Sequence, residues 1–111
     1  SRPLFAWYQL VEICEWLYED TRHPEYRVLA LKWAKVHQRI QPMFAWSYAV
    51  EAKYTASASD RLKALALTLY LDKNSERIAG FSEAEKSKAL EWLRDNNPFT
   101  SEQKSGKGVR L

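Results

Sequence analysis

Glycine is nearly missing from this chain: three occur in 111 residues, and none precedes Gly80. With four prolines, at positions 3, 24, 42 and 98, that scarcity excludes a collagen-like or low-complexity chain. Proline is tolerated in a helix's first turn and disruptive inside it, so the spacing of the prolines reads as punctuation between helices. Cysteine occurs once, as Cys14, which excludes an internal disulfide framework and a multi-cysteine zinc site. Long hydrophobic runs are also missing. Glu, Lys, Arg or Gln breaks each apolar stretch before the ~18 residues a bilayer span needs, and the N-terminus lacks a signal-peptide layout. A length of 111 residues allows one core. The expectation is a cytoplasmic-type domain, and an opening Ser1 reads as a segment of a longer protein.

What is present is amphipathic periodicity. A helix over about 3–20 collects Leu4, Ala6, Trp7, Leu10, Val11, Ile13, Cys14, Leu17 and Tyr18 on one half and Gln9, Glu12, Glu15, Glu19 and Asp20 on the other. A second, over 24–40, opposes Tyr26, Leu29, Ala30, Trp33, Ala34, Val36 and Ile40 to Arg27, Lys32, Lys35 and Arg39. A third, over about 43–56, carries Met43, Trp46, Ala49, Val50 and Tyr54 against Ser47, Glu51 and Thr55. The fourth starts at Ser59 or Asp60 and is apolar around most of its circumference through Leu71, so it is expected to be the most buried. After a loop at 73–81, Ser82 and Glu85 form a capping box that opens a fifth helix to Asp95, which Asn96, Asn97 and Pro98 end. Residues 100–111 have little to bury and read as a mobile basic tail.

The chain also repeats itself. Phe5-Ala6-Trp7-Tyr8-Gln9-Leu10-Val11-Glu12 returns 39 positions later as Phe44-Ala45-Trp46-Ser47-Tyr48-Ala49-Val50-Glu51, with five identities in eight. Each copy precedes a similar second helix, Arg27-Val28-Leu29-Ala30-Leu31 matching Lys63-Ala64-Leu65-Ala66-Leu67, and each of these ends in an Arg-Ile pair, Arg39-Ile40 and Arg77-Ile78. The unit reads as a helical hairpin present twice, with the fifth helix as a third half-unit or a cap. Trp7, Leu10 and Val11, with Leu71-Asp72-Lys73-Asn74-Ser75, resemble the opening and closing stretches of tetratricopeptide-like hairpin repeats. The period is longer than that family's, Ala49 stands where the family has Leu, and Lys73 stands for its proline. The resemblance implies a stack of α-hairpins and a binding scaffold.

Chemistry-bearing constellations are few. His23 and His37 lack the i, i+4 spacing that places two imidazoles on one metal. Cys14 falls on the apolar stripe and reads as a small core hydrophobe. Glu12, Glu15 and Glu19 share a face, but the short turn at 21–23 sets that face beside the basic second helix, so hairpin salt bridges are expected. Gly106-Lys107-Gly108 lacks the other elements of a phosphate loop. Asn97-Pro98-Phe99 spells the motif that EH domains bind, and it also makes a helix stop with Phe99 folded back.

Off-stripe aromatic residues carry the functional reading. Phe5, Tyr8 and Trp16 fall in the acidic half of the first helix, and Phe44 and Tyr48 in the polar half of the third. They either pack between hairpins or anchor a partner, as aromatic rings ringed by polar groups do.

The overall expectation is an all-α single domain over 1–99, built of two tandem antiparallel helical hairpins plus a capping helix, as a short α-solenoid or a compact bundle. It is expected to act without catalysis, cofactor or metal as a protein-interaction module. Phe5, Tyr8, Glu12, Glu15, Trp16, Phe44 and Tyr48 would meet a protein or peptide, a second copy of the chain included. The alternative is a nucleic-acid-binding accessory domain using Arg27, Lys32, Lys35, Arg39 and the tail. The formal charge of +3 favours it less than it first suggests, because Lys104, Lys107 and Arg110 against Glu102 place two of those charges in the tail.

Overall fold

Local chemistry ends each helix near its expected place. Thr21 returns its hydroxyl to the Leu17 carbonyl at 2.7 Å, and Arg22 takes a left-handed backbone (φ 61°) whose N–H reaches the Tyr18 carbonyl at 2.7 Å. Pro24 then opens the next helix from extended His23. The computed structural model describes the backbone of residues 2–99 and the side chains of residues 6–99, so segment 100–111 and the Phe5 side chain lie outside the described residues.

Five helices follow in order: α1 (Arg2–Thr21), α2 (Pro24–Ile40), α3 (Ala45–Tyr54), α4 (Ala58–Leu71) and α5 (Glu83–Asn96), with no strand among the described residues. The segment expected as a plain loop holds a short 3₁₀ turn, Glu76–Ile78, because Ile78 and Phe81 are drawn into the core at 1% and 9% exposure. The α4 cap is Ser57 rather than Ser59 or Asp60: its hydroxyl accepts the Asp60 N–H at 3.1 Å. Ser82 caps α5 as expected, accepting the Glu85 N–H at 3.1 Å.

Each helix packs on the next, α1 on α2, α2 on α3, α3 on α4 and α4 on α5, making two antiparallel hairpins and a capping helix. Two apolar clusters hold them. Val11, Cys14, Ala30, Ala34, Val50 and Tyr54 join the first hairpin to α3, with Trp33 and Trp46 packed alongside. Ala49, Ala52, Leu65, Leu69, Ile78, Phe81 and Ala89 join α3, α4, the 3₁₀ turn and α5, with Trp92 against them. The alanines let helix axes approach closely, and burial of this kind stabilises at about 25 cal/mol per Å² of apolar surface.

The most buried helix is α3, not α4. Its polar half turns inward because it lies between α2, α4 and the 3₁₀ turn, and Ser47, Tyr48 and Glu51 are buried together with Ala49, Val50 and Ala52. Each of those polar groups has a partner. Ser47 donates to the Phe44 carbonyl at 3.4 Å, Tyr48 to the Pro42 carbonyl at 2.7 Å, and Glu51 accepts from Gln38 at 2.8 Å. Phe99 stacks on Tyr70 with ring centroids 5.6 Å apart, so the Asn97-Pro98-Phe99 stop folds back on the bundle.

Candidate interaction surface

The expected salt bridges between the acidic α1 face and basic α2 are not formed among the described residues. Glu15 is instead buried, at 7% exposure, and accepts both Arg77 guanidinium nitrogens at 3.0 and 3.3 Å. Glu19 pairs locally with Arg22 at 3.2 Å and accepts the Tyr54 hydroxyl at 3.5 Å. On α2, Arg27 donates to the Tyr54 carbonyl at 2.6 Å, covering an orphan acceptor at the end of α3, and Lys35 lies 3.8 Å from Glu51. Of the four cations offered for nucleic acid, Arg27 is therefore part-buried against the fold, while Lys35, though beside Glu51, stays exposed together with Lys32 and Arg39. The reason is rotation: α1 and α2 each turn part of their polar edge toward α3.

The off-stripe aromatic residues divide in the same way. Tyr48 is a core residue at 7% exposure, and burial, followed by the charge of Glu51, pushes its hydroxyl pKa up. Tyr8 is half-buried, 4.3 Å from Trp46 and 5.3 Å from His37 between ring centroids, and burial raises its pKa. Tyr48 is thus enclosed by the fold, while Tyr8 keeps part of its surface exposed. Phe44 packs one edge near His37, 6.1 Å away, and still keeps 45% of its surface exposed. Trp16 alone among the described tryptophans stands out in solvent, at 67% exposure. Glu12 is partly exposed beside it.

His37, which the sequence set aside for lack of metal-ligand spacing, holds a distinctive place. It is fully buried, ringed by Tyr8, Trp46 and Phe44, and neither ring nitrogen has a hydrogen-bond partner among the described residues. Burial lowers its pKa below 6.5, and the neighbouring Gln41 side chain only partly opposes this. Arg61 was also missed. It binds Glu85 at 2.8 and 3.2 Å and the Ala52 carbonyl at 3.2 Å, with its guanidinium 4.3 Å from the Phe81 ring centroid. No local pattern marks either residue, since their partners lie on other helices. Cys14 is buried as expected, and burial and Glu15 both raise its pKa, which makes the thiol inert.

What remains exposed is unevenly distributed. Among the described residues eleven large hydrophobics are exposed, and nine of them, Leu10, Ile13, Trp16, Leu17, Val28, Leu29, Ile40, Met43 and Phe44, lie on the first hairpin or the turn that follows it. An open groove of about 560 Å³ runs along α1 between Ile13, Trp16, Leu17, Glu19 and Asp20. A smaller hollow of mixed character, about 330 Å³, is lined by Ala45, Trp46, Asp72, Asn74, Glu76 and Arg77. Among the described residues no three His, Cys, Asp or Glu side chains are placed to hold a metal ion, and no helix is long and apolar enough to cross a membrane.

No family model matches the chain, and no curated protein and no solved structure matches it either. The surface must therefore be read from its own chemistry.

Proposed function

We propose that the chain is a non-catalytic protein-interaction module that docks a helical partner on the outer side of its first hairpin. The observation that carries this reading is the concentration of exposed apolar side chains on that hairpin, centred on Trp16 at 67% exposure. A solvent-exposed patch of this kind costs solubility unless something covers it, and Trp is the residue most enriched at binding hot spots. Trp16 serves as the anchor, Leu10, Ile13 and Leu17 as the apolar stripe, and Glu12, Glu19 and Asp20 as the acidic border. Glu15 and Tyr48 support the fold instead. The likeness to tetratricopeptide-like hairpins supports the same reading, because such stacks present helix faces to partners.

A photo-crosslinking amino acid placed at position 16, with a control at exposed Lys73, tests this in extracts of the source cell. The expected result is a protein adduct from position 16 that Ile13→Glu abolishes and the control never gives. Equal adducts from both positions, or an adduct with nucleic acid, would sink the reading. The second outcome would return Lys32 and Arg39 to attention.

A further inference from the structure

The outer face of the first hairpin has two unlike halves. On α1, Leu10, Ile13 and Leu17 recur at i, i+3 and i+7 with exposures of 37%, 48% and 37%, next to the acids Glu12, Glu19 and Asp20. On α2, Leu29 and Ile40, at 37% and 50%, flank half-buried Val36 on the side that also carries Lys32 and Arg39. The hairpin does not neutralise itself: Glu12, Asp20 and Arg39 have no ion-pair partner among the described residues, and Lys32 contacts only the Trp33 ring, 5.2 Å from its centroid.

The internal repeat shows what such a face does when it is covered. Thirty-nine positions after Leu10 and Ile13 stand Ala49 and Ala52, both fully buried in the cluster that joins α3 to α4 and α5. In the second copy these positions are small because a helix closes over them. In the first copy they are large and nothing described covers them.

We propose that this face is a self-association surface that pairs two copies of the chain, hairpin on hairpin. A basic partner helix would answer only the acids of α1, and an acidic one only the cations of α2. A second copy, turned about a two-fold axis running along the hairpin, lays α1 over α2 twice and sets the acidic α1 edge of each copy against the net-basic α2 edge of the other, where Glu25 is the single acid beside Lys32, Lys35 and Arg39. Two helices about 30 Å long, with axes about 10 Å apart, offer about 600 Å² per copy, or about 1,200 Å² in total, which is at the lower bound for a specific interface. The dimer is accordingly concentration-dependent. The inference rests on the reading of this hairpin as a contact surface and names its occupant.

Sedimentation equilibrium of the full chain from ~1 to ~500 μM tests it. The expected result is a mass rising from 13.0 kDa toward twice that value. Ile13→Glu, with unchanged helical circular dichroism, is expected to weaken association at least ~30-fold. The double reversals Glu12→Lys with Asp20→Lys, and Lys32→Glu with Arg39→Glu, are each expected to stay monomeric alone and to form a heterodimer when mixed. A wild-type chain that is monomeric throughout, a dimer indifferent to Ile13→Glu, or reversed variants that do not recombine each overturn the proposal. In a monomeric chain, an Ile13-dependent crosslink from position 16 to a different protein would leave the wider interaction reading standing, while loss of both results would end both.

Discussion

Arg77 grips Glu15 across 62 residues of sequence, with both guanidinium nitrogens on one carboxylate at 3.0 and 3.3 Å. The pair joins the 3₁₀ turn after α4 to the middle of α1, and the guanidinium also lies 5.7 Å from the centroid of the Trp46 ring. It is the contact that ties the first hairpin to the far side of the bundle.

The Glu15 side chain is 9% exposed and that of Arg77 28%, so this pair is screened less than a surface bridge and more than a fully dry one. Arg77→Ala is expected to cost about 2 kcal/mol, between the ~0.2–1 of exposed pairs and the ~3–5 of broken buried ones. Most of that cost is the stranded carboxylate. Adding Glu15→Gln to Arg77→Ala should therefore recover about half of it, read as the coupling energy in a urea-unfolding double-mutant cycle.

Acid should loosen the junction of α1, α2 and α3 through His37. Burial holds its folded pKa below the ordinary 6.5, so the native state favours the neutral ring. The stability it contributes is complete above pH ~6.5 and is lost as pH falls from there toward the lowered folded value, at no more than ~1.4 kcal/mol per pH unit. Tyr8 and Tyr48 do not titrate in that window, because both pKa values are raised above 10. His37→Phe is expected to flatten the pH 7.5 to 5.5 stability profile and to stabilise the protein near pH 5.5. An unchanged slope in denaturant titrations would show that the ring is solvated instead.

Trp16 and Tyr48 should part company on truncation. Trp16→Ala, at 67% exposure, is expected to change stability by less than ~0.5 kcal/mol. Tyr48→Phe removes the 2.7 Å bond to the Pro42 carbonyl and should cost about 1 kcal/mol, while Tyr48→Ala leaves a cavity and should cost about 3–5. Thermal melts of the three variants check the contrast, which is the difference between an anchor and a core residue.

Arg61 should resist conservative replacement. Its planar fork serves Glu85 and the Ala52 carbonyl together, and an ammonium group cannot copy that geometry, so Arg61→Lys is expected to cost about 1 kcal/mol. The bond from Arg61 is the main reason the Glu85 carboxyl sits below its ordinary 4.5, with the guanidinium charge and the Ser82 N–H assisting against burial. Its contribution is present above pH ~4.5 and lost as pH falls through the lowered folded value, and Arg61→Lys should diminish that acid-side loss in circular-dichroism titrations.

The helices were legible because their signals are local. Pro24, Ser82 and the apolar periodicity of residues 3–20 and 24–40 each act within one or two turns, and the structure returns α1, α2 and α5 within a residue or so of expectation. Trp16 was only half legible: its place opposite the apolar stripe left packing between hairpins and exposure both open, and the fold leaves it exposed. Tyr48 and Glu15 fall equally far from a stripe and yet are buried. A helical wheel ranks the sides of a helix by polarity, whereas the number of sides that are covered depends on how many neighbours the helix has. Helix α3 has neighbours on several sides, so Ser47, Tyr48 and Glu51 were enclosed once each had a hydrogen-bond partner.

By itself the sequence determined five helices, their order, the hairpin pairing and the internal repeat, because capping, proline placement and 3.6-residue periodicity need only near neighbours. Tertiary structure alone decided which of two similar faces became core and which stayed bare. Leu10 and Ile13 occupy the same repeat positions as Ala49 and Ala52, but only the second pair has a helix over it. Likewise Glu15 became structural only when the fold brought Arg77 within 3.0 Å, since desolvating a carboxylate is tolerated where a partner from elsewhere in the chain compensates it.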